Sequence, residues 1–172
     1  MPVHLYGQVA DMDADLKLAN QYKLYVIEDA CAAHGATYRG KKVGSIGDIG
    51  CFSFYASKNI TSGEGGIVVT NNEEVANMAR LLKSQAFEKP RFIHRYLGFN
   101  YRLTDLQAAV AYAQMEKVSK KIARRREIAK IYTKLLQNIP EIEVQRDPPW
   151  GKSTFWMFSI LIQDNFGSTR DQ

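Results

Sequence analysis

The sequence lacks several features that would assign it to a specialised class of protein. Among 172 residues it has two cysteines, Cys31 and Cys51, and no Cys-x-x-Cys pair. This argues against a disulfide scaffold and against a cysteine zinc site. No run of about 18 apolar residues occurs, so we expect no membrane-spanning helix. The N-terminus has no basic region followed by an apolar stretch, so we expect no signal peptide and a reducing, cytoplasmic compartment.

The positive charge is concentrated in one segment. The chain has 23 Lys and Arg against 18 Asp and Glu, a net charge of +5, which raises the possibility of nucleic-acid binding. Residues 117–130 hold seven Lys and Arg and one Glu, a net of +6, so the rest of the chain nets −1. A charge run on a helix is usually a solvated face. We therefore expect neither a nucleic-acid partner nor a membrane partner.

The spacing of apolar residues predicts an α/β chain without internal repeats. Helices are predicted at 12–22, 73–83, from 105 past Met115, and at about 118–137. Strands are predicted at 24–27, 51–55, 67–70 and 155–162. The glycine-rich residues 35–50 are expected to form turns and short extended pieces. Candidate N-caps of the first two helices are Asp11 or Asp13 and Asn71 or Asn72.

Three groups of residues are candidates for chemistry. Glu28 and Asp29 end a predicted strand, where carboxylates point into the ligand crevice of open α/β sheets or serve as caps and ion pairs. Ser53 and Lys58 lie around the end of the next strand, and a desolvated lysine there can form a Schiff base, whereas an exposed loop lysine is commoner. Residues 61–66 resemble a phosphate loop only superficially, so a tight turn is expected.

The combination of these residues suits pyridoxal phosphate better than any one of them does. A lysine can hold the cofactor's aldehyde as an imine, and an aspartate can pair with the pyridinium nitrogen. A serine hydroxyl close to the lysine can bind the phosphate. Asp29, Ser53 and Lys58 supply these three groups on two neighbouring strand ends.

Residues 26–74 contain the run ED–HGA–G–VGS–GD–FSF–K–GEGG, flanked by PVHLYGQVADMD at 2–13 and LGFNYRLTDLQAAVAYAQMEK at 97–117. This pattern resembles the DegT–StrS family of nucleotide-sugar aminotransferases, which are fold-type I pyridoxal-phosphate enzymes. The resemblance extends from Pro2 to about Asp171. The segment WGKSTFWMFSILI resembles the C-terminal strand of the GDP-perosamine synthase subgroup.

The resemblance implies a division of the chain and a role for four residues. It implies part of an aspartate aminotransferase-like large domain over 1–117, a long connecting helix over 118–137, and the beginning of the C-terminal small domain over 138–172. By the resemblance, Lys58 is the catalytic residue and forms the imine. Asp29 then pairs with the pyridine nitrogen and Ser53 binds the phosphate. Asn100 reaches the phosphate bound by the other subunit of a homodimer.

The implied reaction moves an amino group from L-glutamate to a nucleotide-linked 4-keto-6-deoxy sugar, with pyridoxamine phosphate as an intermediate. The implied context is the synthesis of surface polysaccharide such as O-antigen. Lys58 would both hold the resting cofactor and move the proton between the cofactor's C4′ and the sugar carbon.

Two departures from the family pattern leave an alternative open. Ala32 occupies a position where the family usually has Gln, Glu or His near the cofactor's ring hydroxyl, unless His34 or a water replaces that contact. The chain is also about half the family's length, so we expect it to be a piece of a larger protein and to be inactive by itself. The alternative is a truncated non-catalytic or regulatory remnant. A related sugar dehydratase has histidine in place of the lysine, and Lys58 argues against that activity.

Overall fold

Helices and short strands follow one another in the predicted α/β order in the computed structural model, which describes residues 1–90 and 92–167. The helices are α1 (Met12–Tyr22), α2 (Glu73–Leu82), α3 (Asp105–Met115) and α4 (Val118–Leu136). The strands are β1 (Ile27–Asp29), β2 (Thr37–Tyr38), β3 (Lys41–Lys42), β4 (Ile49–Ser53), β5 (Gly66–Val69), β6 (Ile142–Val144), β7 (Gly151–Lys152) and β8 (Ile160–Ile162).

The sheet that carries the candidate residues has the strand order β1-β4-β5. Strands β1 and β4 are parallel, with Asp29 opposite Cys51, and β5 is antiparallel to β4. Because parallel strands place their carboxyl ends at the same edge of a sheet, the ends of β1 and β4 meet there. The order of the strands therefore brings residues far apart in the sequence to one edge.

The core beneath this sheet is built largely from small side chains. Ala30, Ala33 and Ala36 are fully buried and pack with Val9 and Met12 in one cluster. Small residues let the loop after β1 approach α1 closely, and Tyr38 extends the contact. Its hydroxyl donates to Asp11 Oδ1 at 3.1 Å and accepts the amide of Asp13 at 3.0 Å.

Two helices begin at the residues that the sequence indicated. Asn72 is the N-cap of α2, and its side chain accepts the amide of Val75 at 3.1 Å. Thr104 begins α3 with a capping box, in which it exchanges hydrogen bonds with Gln107. Such side chains satisfy amides that have no partner inside the helix, so the helix starts could be predicted from residue type.

Two predicted strands are placed or sized wrongly, and the strand predicted at 51–55 lies two residues earlier, at Ile49–Ser53. The strand predicted at 24–27 lies instead at Ile27–Asp29, because α1 ends in a left-handed Lys23 and the following Leu24 and Tyr25 remain on the surface. The strand predicted at 155–162 is reduced to Ile160–Ile162. Phe155 has a φ of 51°, which turns the chain away from an extended path.

The C-terminal segment contacts the part of the chain that precedes it. Strand β7 pairs with β2, and the indole of Trp150 donates to the carbonyl of Val9 at 3.1 Å. Strands β6 and β8 form a separate two-stranded sheet. The division into 1–117, 118–137 and 138–172 stays a prediction, and its last five residues, 168–172, lie outside the described residues. Among the helices described, none is both long and apolar enough to cross a membrane.

Candidate active site

Asp29 is the last residue of β1, and its half-buried side chain lies at the carboxyl edge of the sheet. It is in register with Cys51, and side chains alternate along a strand, so Asp29, Cys51 and Ser53 share one face. Oδ1 of Asp29 accepts the amide of Cys31 at 3.1 Å. The Cys31 thiol also interacts with this carboxylate. A carboxylate can accept about four hydrogen bonds, so acceptor capacity remains for a ligand.

Ser53 and Lys58 follow on β4 and the turn after it. Oγ of Ser53 accepts the amide of Tyr55 at 3.1 Å, which leaves the hydroxyl proton free to donate. The amide of Lys58 donates to the carbonyl of Tyr55 at 3.0 Å, so a tight turn returns the lysine toward the strand end. Lys58 is half-buried rather than fully exposed.

The electrostatics of two neighbouring side chains show that Asp29 and Lys58 act on the same small region. Burial raises the pKa of the Cys31 thiol to about 12, and Asp29 raises it further while Lys58 opposes the rise. Burial lowers the pKa of His34 to about 4, and the charge of Lys58 lowers it in the same direction. The sequence-predicted carboxylate and amine therefore both act on the Cys31 thiol.

His34 is buried, and neither ring nitrogen makes a hydrogen bond of good geometry among the described residues. The Ser53 backbone lies close enough to oppose part of the lowering of its pKa. Its ring packs against Phe52 and Phe54, with centroid distances of 5.3 and 6.2 Å. Phe52 alternates with Ser53 along β4, so the histidine lies toward the opposite face of that strand. Whether it replaces the contact missing at Ala32 stays a prediction.

Glu28, the other carboxylate predicted at the strand end, is enclosed by hydrogen-bond partners from the protein itself. It is fully buried, and its Oε1 accepts the amides of Ile46 and Gly47, each at 2.7 Å. Its Oε2 accepts the amide of Gly44 at 2.7 Å and lies 3.0 Å from Nε2 of His4. Burial raises the pKa of Glu28, but these hydrogen bonds together outweigh burial and hold the pKa below its usual value.

Trp156 lies at the site although sequence reasoning did not single it out. Nζ of Lys58 is 3.6 Å from the centroid of the Trp156 ring, and the indole N–H donates to the carbonyl of Ser57 at 2.8 Å. The motif WGKSTFWMFSILI contained this residue, but no local pattern connects a tryptophan with a lysine so distant in the sequence. The C-terminal segment thus completes one wall of the site.

Asn100 lies on the surface, in the chain between α2 and α3. Its Oδ1 accepts Nε of Arg102 at 3.0 Å, and its backbone forms an isolated antiparallel bridge with Ser84. No hydrogen bond or ring contact joins Asn100 to Asp29, Ser53 or Lys58 within the described residues. Because Asn100 is exposed, its side chain is accessible to a second subunit.

The residues at this edge fit pyridoxal phosphate in kind and in arrangement. A carboxylate with remaining acceptor capacity, a hydroxyl with a free proton and a lysine amine without a hydrogen bond or ion pair lie at one end of two parallel strands, among the residues described. These are the groups that a pyridine nitrogen, a phosphate and an aldehyde require. Within residues 1–90 and 92–167, no cluster of His, Cys, Asp and Glu offers a metal site.

Comparison with known proteins shows the family to which the chain belongs. The model of the DegT/DnrJ/EryC1/StrS aminotransferase family matches residues 1–172. The chain belongs to that family. It is 42% identical over 179 aligned residues to a GDP-perosamine synthase of Caulobacter vibrioides, covering 100% of this chain and 47% of that protein. It is 43% identical over 164 residues to a GDP-perosamine synthase of Escherichia coli O157:H7, covering 95% and 44%.

Solved structures of family members have the same fold. The structure of S. venezuelae DesV in complex with a ketimine intermediate superposes with a TM-score of 0.89 at 36% identity, covering 95% of this chain and 44% of that chain. Helicobacter pylori PseC, an aminotransferase involved in the biosynthesis of pseudoaminic acid, gives 0.90 at 30% identity, covering 95% and 45%. The predicted α/β fold, with part of the aspartate aminotransferase-like architecture, is confirmed.

The chain spans about half the length of the curated relatives that it matches. Ala32 is buried, and its carbonyl accepts the hydroxyl of Thr154 at 3.5 Å. The position is packed by the C-terminal segment. The methyl side chain of Ala32 cannot make a polar contact with a ligand.

Proposed function

We propose that the protein is a pyridoxal-phosphate-dependent aminotransferase that moves an amino group from L-glutamate to a nucleotide-linked 4-keto-6-deoxy sugar. The observation that supports the proposal is the parallel pairing of β1 with β4, which puts Asp29 and Ser53 on one face of the sheet and Lys58 on the turn that follows, in a chain of this family. The similarity to GDP-perosamine synthases supports a sugar of the perosamine type and a role in surface polysaccharide synthesis. A homodimer with shared sites and a cytoplasmic location are part of the proposal.

Each residue has a role that follows from its chemistry. The cofactor, when bound, supplies an electron sink that stabilises negative charge on the carbon bearing the transferred nitrogen. Lys58 binds it covalently through Nζ and carries the proton to and from the reacting carbon. Asp29 holds a proton at the ring nitrogen, because a nearby carboxylate favours the positive form of that ring. Ser53 donates its hydroxyl proton to the phosphate.

A non-catalytic remnant of the family is the second candidate, and the apolar residue Ala32 is the observation that favours it. The two candidates differ in one assay. The natural protein is supplied with pyridoxal phosphate, L-glutamate and a GDP-linked 4-keto-6-deoxy sugar, and the amino sugar is measured. The proposal predicts turnover in the wild type and none in Lys58→Ala, with the exposed Lys152→Ala as the matched control. Cofactor binding without turnover on any nucleotide-linked 4-keto sugar would favour the remnant.

A further inference from the structure

Trp156 makes two contacts with the turn that carries Lys58. The lysine Nζ lies 3.6 Å from the centroid of the indole, well within the range of a cation–π interaction. The indole N–H donates to the carbonyl of Ser57, the residue immediately before Lys58, at 2.8 Å. The ring is therefore anchored to the backbone beside the lysine while its face is presented to the lysine's amino group.

The backbone around Trp156 is fixed from several directions. Nη1 of Arg125 on α4 donates to the Trp156 carbonyl at 2.8 Å. The amide of Thr154 donates to the carbonyl of Gly7 at 2.9 Å, and the ring of Tyr6 lies 6.3 Å from the indole. These contacts come from α4 and from the N-terminal segment, so both fix the backbone that carries the indole.

Unusual backbone conformations lie on both sides of this contact. Phe155, directly before Trp156, has a φ of 51°, and Tyr6 has a φ of 54°. Bulky side chains rarely adopt this left-handed region, and such residues persist where the surroundings hold them, often at functional sites. Gly7 is also left-handed, and a side chain there would overlap Oγ1 of Thr154. Strained backbone conformations therefore occur at Phe155 and Tyr6, the residues that fix the position of the Trp156 indole.

We propose that Trp156 is a positioning residue for Lys58, and that its indole face holds the lysine ammonium whenever Nζ is not bonded to the cofactor. The inference rests on the proposed function in one respect, that Lys58 is the residue that bonds pyridoxal phosphate. Amino-group transfer through a lysine-bound cofactor frees the lysine whenever the cofactor carries the substrate's nitrogen. A fixed aromatic face then keeps the long, flexible side chain beside the place to which it must return.

The test measures the reactivity of Lys58 in protein that holds no cofactor. The natural protein, stripped of cofactor, is treated with formaldehyde and cyanoborohydride, and methylation of Lys58 and of the exposed Lys152 is followed by peptide mass spectrometry. Variants are Trp156→Leu, Trp156→Phe and the control Trp150→Phe, which changes the tryptophan bonded to Val9. Only the unprotonated amine reacts, so a group that holds the ammonium slows methylation.

We expect Trp156→Leu to raise the Lys58 rate by about fivefold or more, which is the size of a partly buried cation–π contact. Trp156→Phe should give a smaller rise, because a phenyl ring attracts cations less than an indole does. The Lys152 rate, and the Lys58 rate in Trp150→Phe, should equal those of the wild type. A Lys58 rate unchanged in both Trp156 variants, or a rise that Lys152 shares, would overturn the proposal.

A second measurement separates this inference from the proposed function. Borohydride reduction of cofactor-loaded wild type shows which lysine bonds the cofactor, and it does not involve Trp156 variants. Label on Lys58 without the methylation effect refutes the positioning role alone. The methylation effect with label on another lysine refutes the role of Lys58 in catalysis, and the positioning proposal fails with it.

Discussion

Asp29 and Glu28 are adjacent carboxylates with opposite surroundings. Glu28 has all its strong acceptor positions filled by amides and a histidine, whereas Asp29 accepts one amide through Oδ1. A carboxylate whose acceptors are all used holds the fold, and one with remaining acceptor capacity can serve a ligand. The alternation of side chains along β1 produces this division of roles.

Replacement of Asp29 by Asn tests its role toward the ring nitrogen. Asn keeps a carbonyl oxygen that accepts the Cys31 amide, but it loses the negative charge. We expect kcat to fall by about a hundredfold or more, because the electrostatic partner of the reacting ring is lost, while the cofactor still binds. Steady-state kinetics and a cofactor titration measure the two effects. Asp13→Asn, at the exposed ion pair with Arg39, should change neither quantity. Equal kcat in Asp29→Asn and wild type would refute the assignment.

The lowered pKa of His34 predicts that the folded protein loses stability in mild acid. Burial, assisted by Lys58, lowers the pKa of His34 to about 4 from 6.5, so between these values the unfolded chain binds a proton that the folded chain does not. The free energy of unfolding should therefore fall by about 3 kcal/mol as the pH drops from 7 to 4. Denaturant titrations at several pH values measure this fall. In His34→Gln the slope between pH 6.5 and 4 should be much smaller, and an unchanged slope would show that another group is responsible.

The positions of single residues were predictable where the chain places them on neighbouring strand ends. Asp29, Ser53 and Lys58 follow two apolar runs, and parallel pairing of those runs brings them together. Trp156 could not be predicted, because its contact with Lys58 depends on a left-handed turn at Phe155 and on the docking of a distant segment. For Glu28 the sequence left a ligand-facing and a structural role open. Its partners could not be predicted, since they are His4 and backbone amides of a glycine-rich loop.

At the scale of elements, Glu28 joins β1 to the loop at 44–47. The three amides of Gly44, Ile46 and Gly47 all point to one carboxylate, which replaces the strand partners that this loop lacks. Because β4 begins at Ile49, the loop also sets where the second parallel strand enters the sheet. The position of Ser53 and Lys58 relative to Asp29 therefore depends on this network.

Glu28→Gln is expected to lower the free energy of unfolding by about 3 kcal/mol at pH 7. The amide nitrogen of Gln would face a backbone N–H or His4, so a buried donor would be left without an acceptor. Chemical denaturation measures the loss, and the exposed Glu64→Gln is the control. The lowered pKa of Glu28 means that its contribution is present above its ordinary pKa of 4.5 and is lost as the pH falls below that value. A stability equal to that of the control would contradict the network's role.

Element boundaries were predictable from caps better than from apolar runs. Asn72 and Thr104 start helices at the expected residues, since a capping side chain acts within one turn. The apolar runs 24–27 and 155–162 were misleading, because tertiary position decides which part of a run enters a sheet. Leu24 and Tyr25 are exposed, and Phe155 leaves the extended region altogether.

At the scale of the whole molecule, large apolar side chains on α3 face outward. Leu106, Val110, Tyr112 and Met115 are between 48% and 83% exposed. Leu106 with Val110, and Tyr112 with Met115, form two exposed apolar pairs at helical spacing. Exposed apolar surface commonly marks an interface. Asn100 lies in the segment just before this helix, so an interface over α3 would bring it close to a second subunit. The proposed homodimer with shared sites accounts for both observations.

Mixing two inactive variants tests the shared site. Lys58→Ala and Asn100→Ala should each be nearly inactive as homodimers. A heterodimer has one site with both Lys58 and Asn100 intact, so random subunit exchange should restore about a quarter of wild-type activity. The mixture of Lys58→Ala with the control Asn20→Ala should keep half of wild-type activity with or without exchange. The efficiency of exchange is therefore measured separately, by native mass spectrometry of the mixed dimers. Failure of the first mixture to recover activity, when exchange is demonstrated, would place Asn100 outside the neighbouring site.

The central claim is that Lys58 is the amine that bonds the cofactor, with Asp29 and Ser53 beside it. The most direct measurement is borohydride reduction of the natural protein loaded with pyridoxal phosphate, followed by proteolysis and peptide mass spectrometry. The account predicts a single stable label on the peptide that contains Lys58, and its loss in Lys58→Ala. A label on any other lysine, or no label in protein that binds the cofactor, would contradict it.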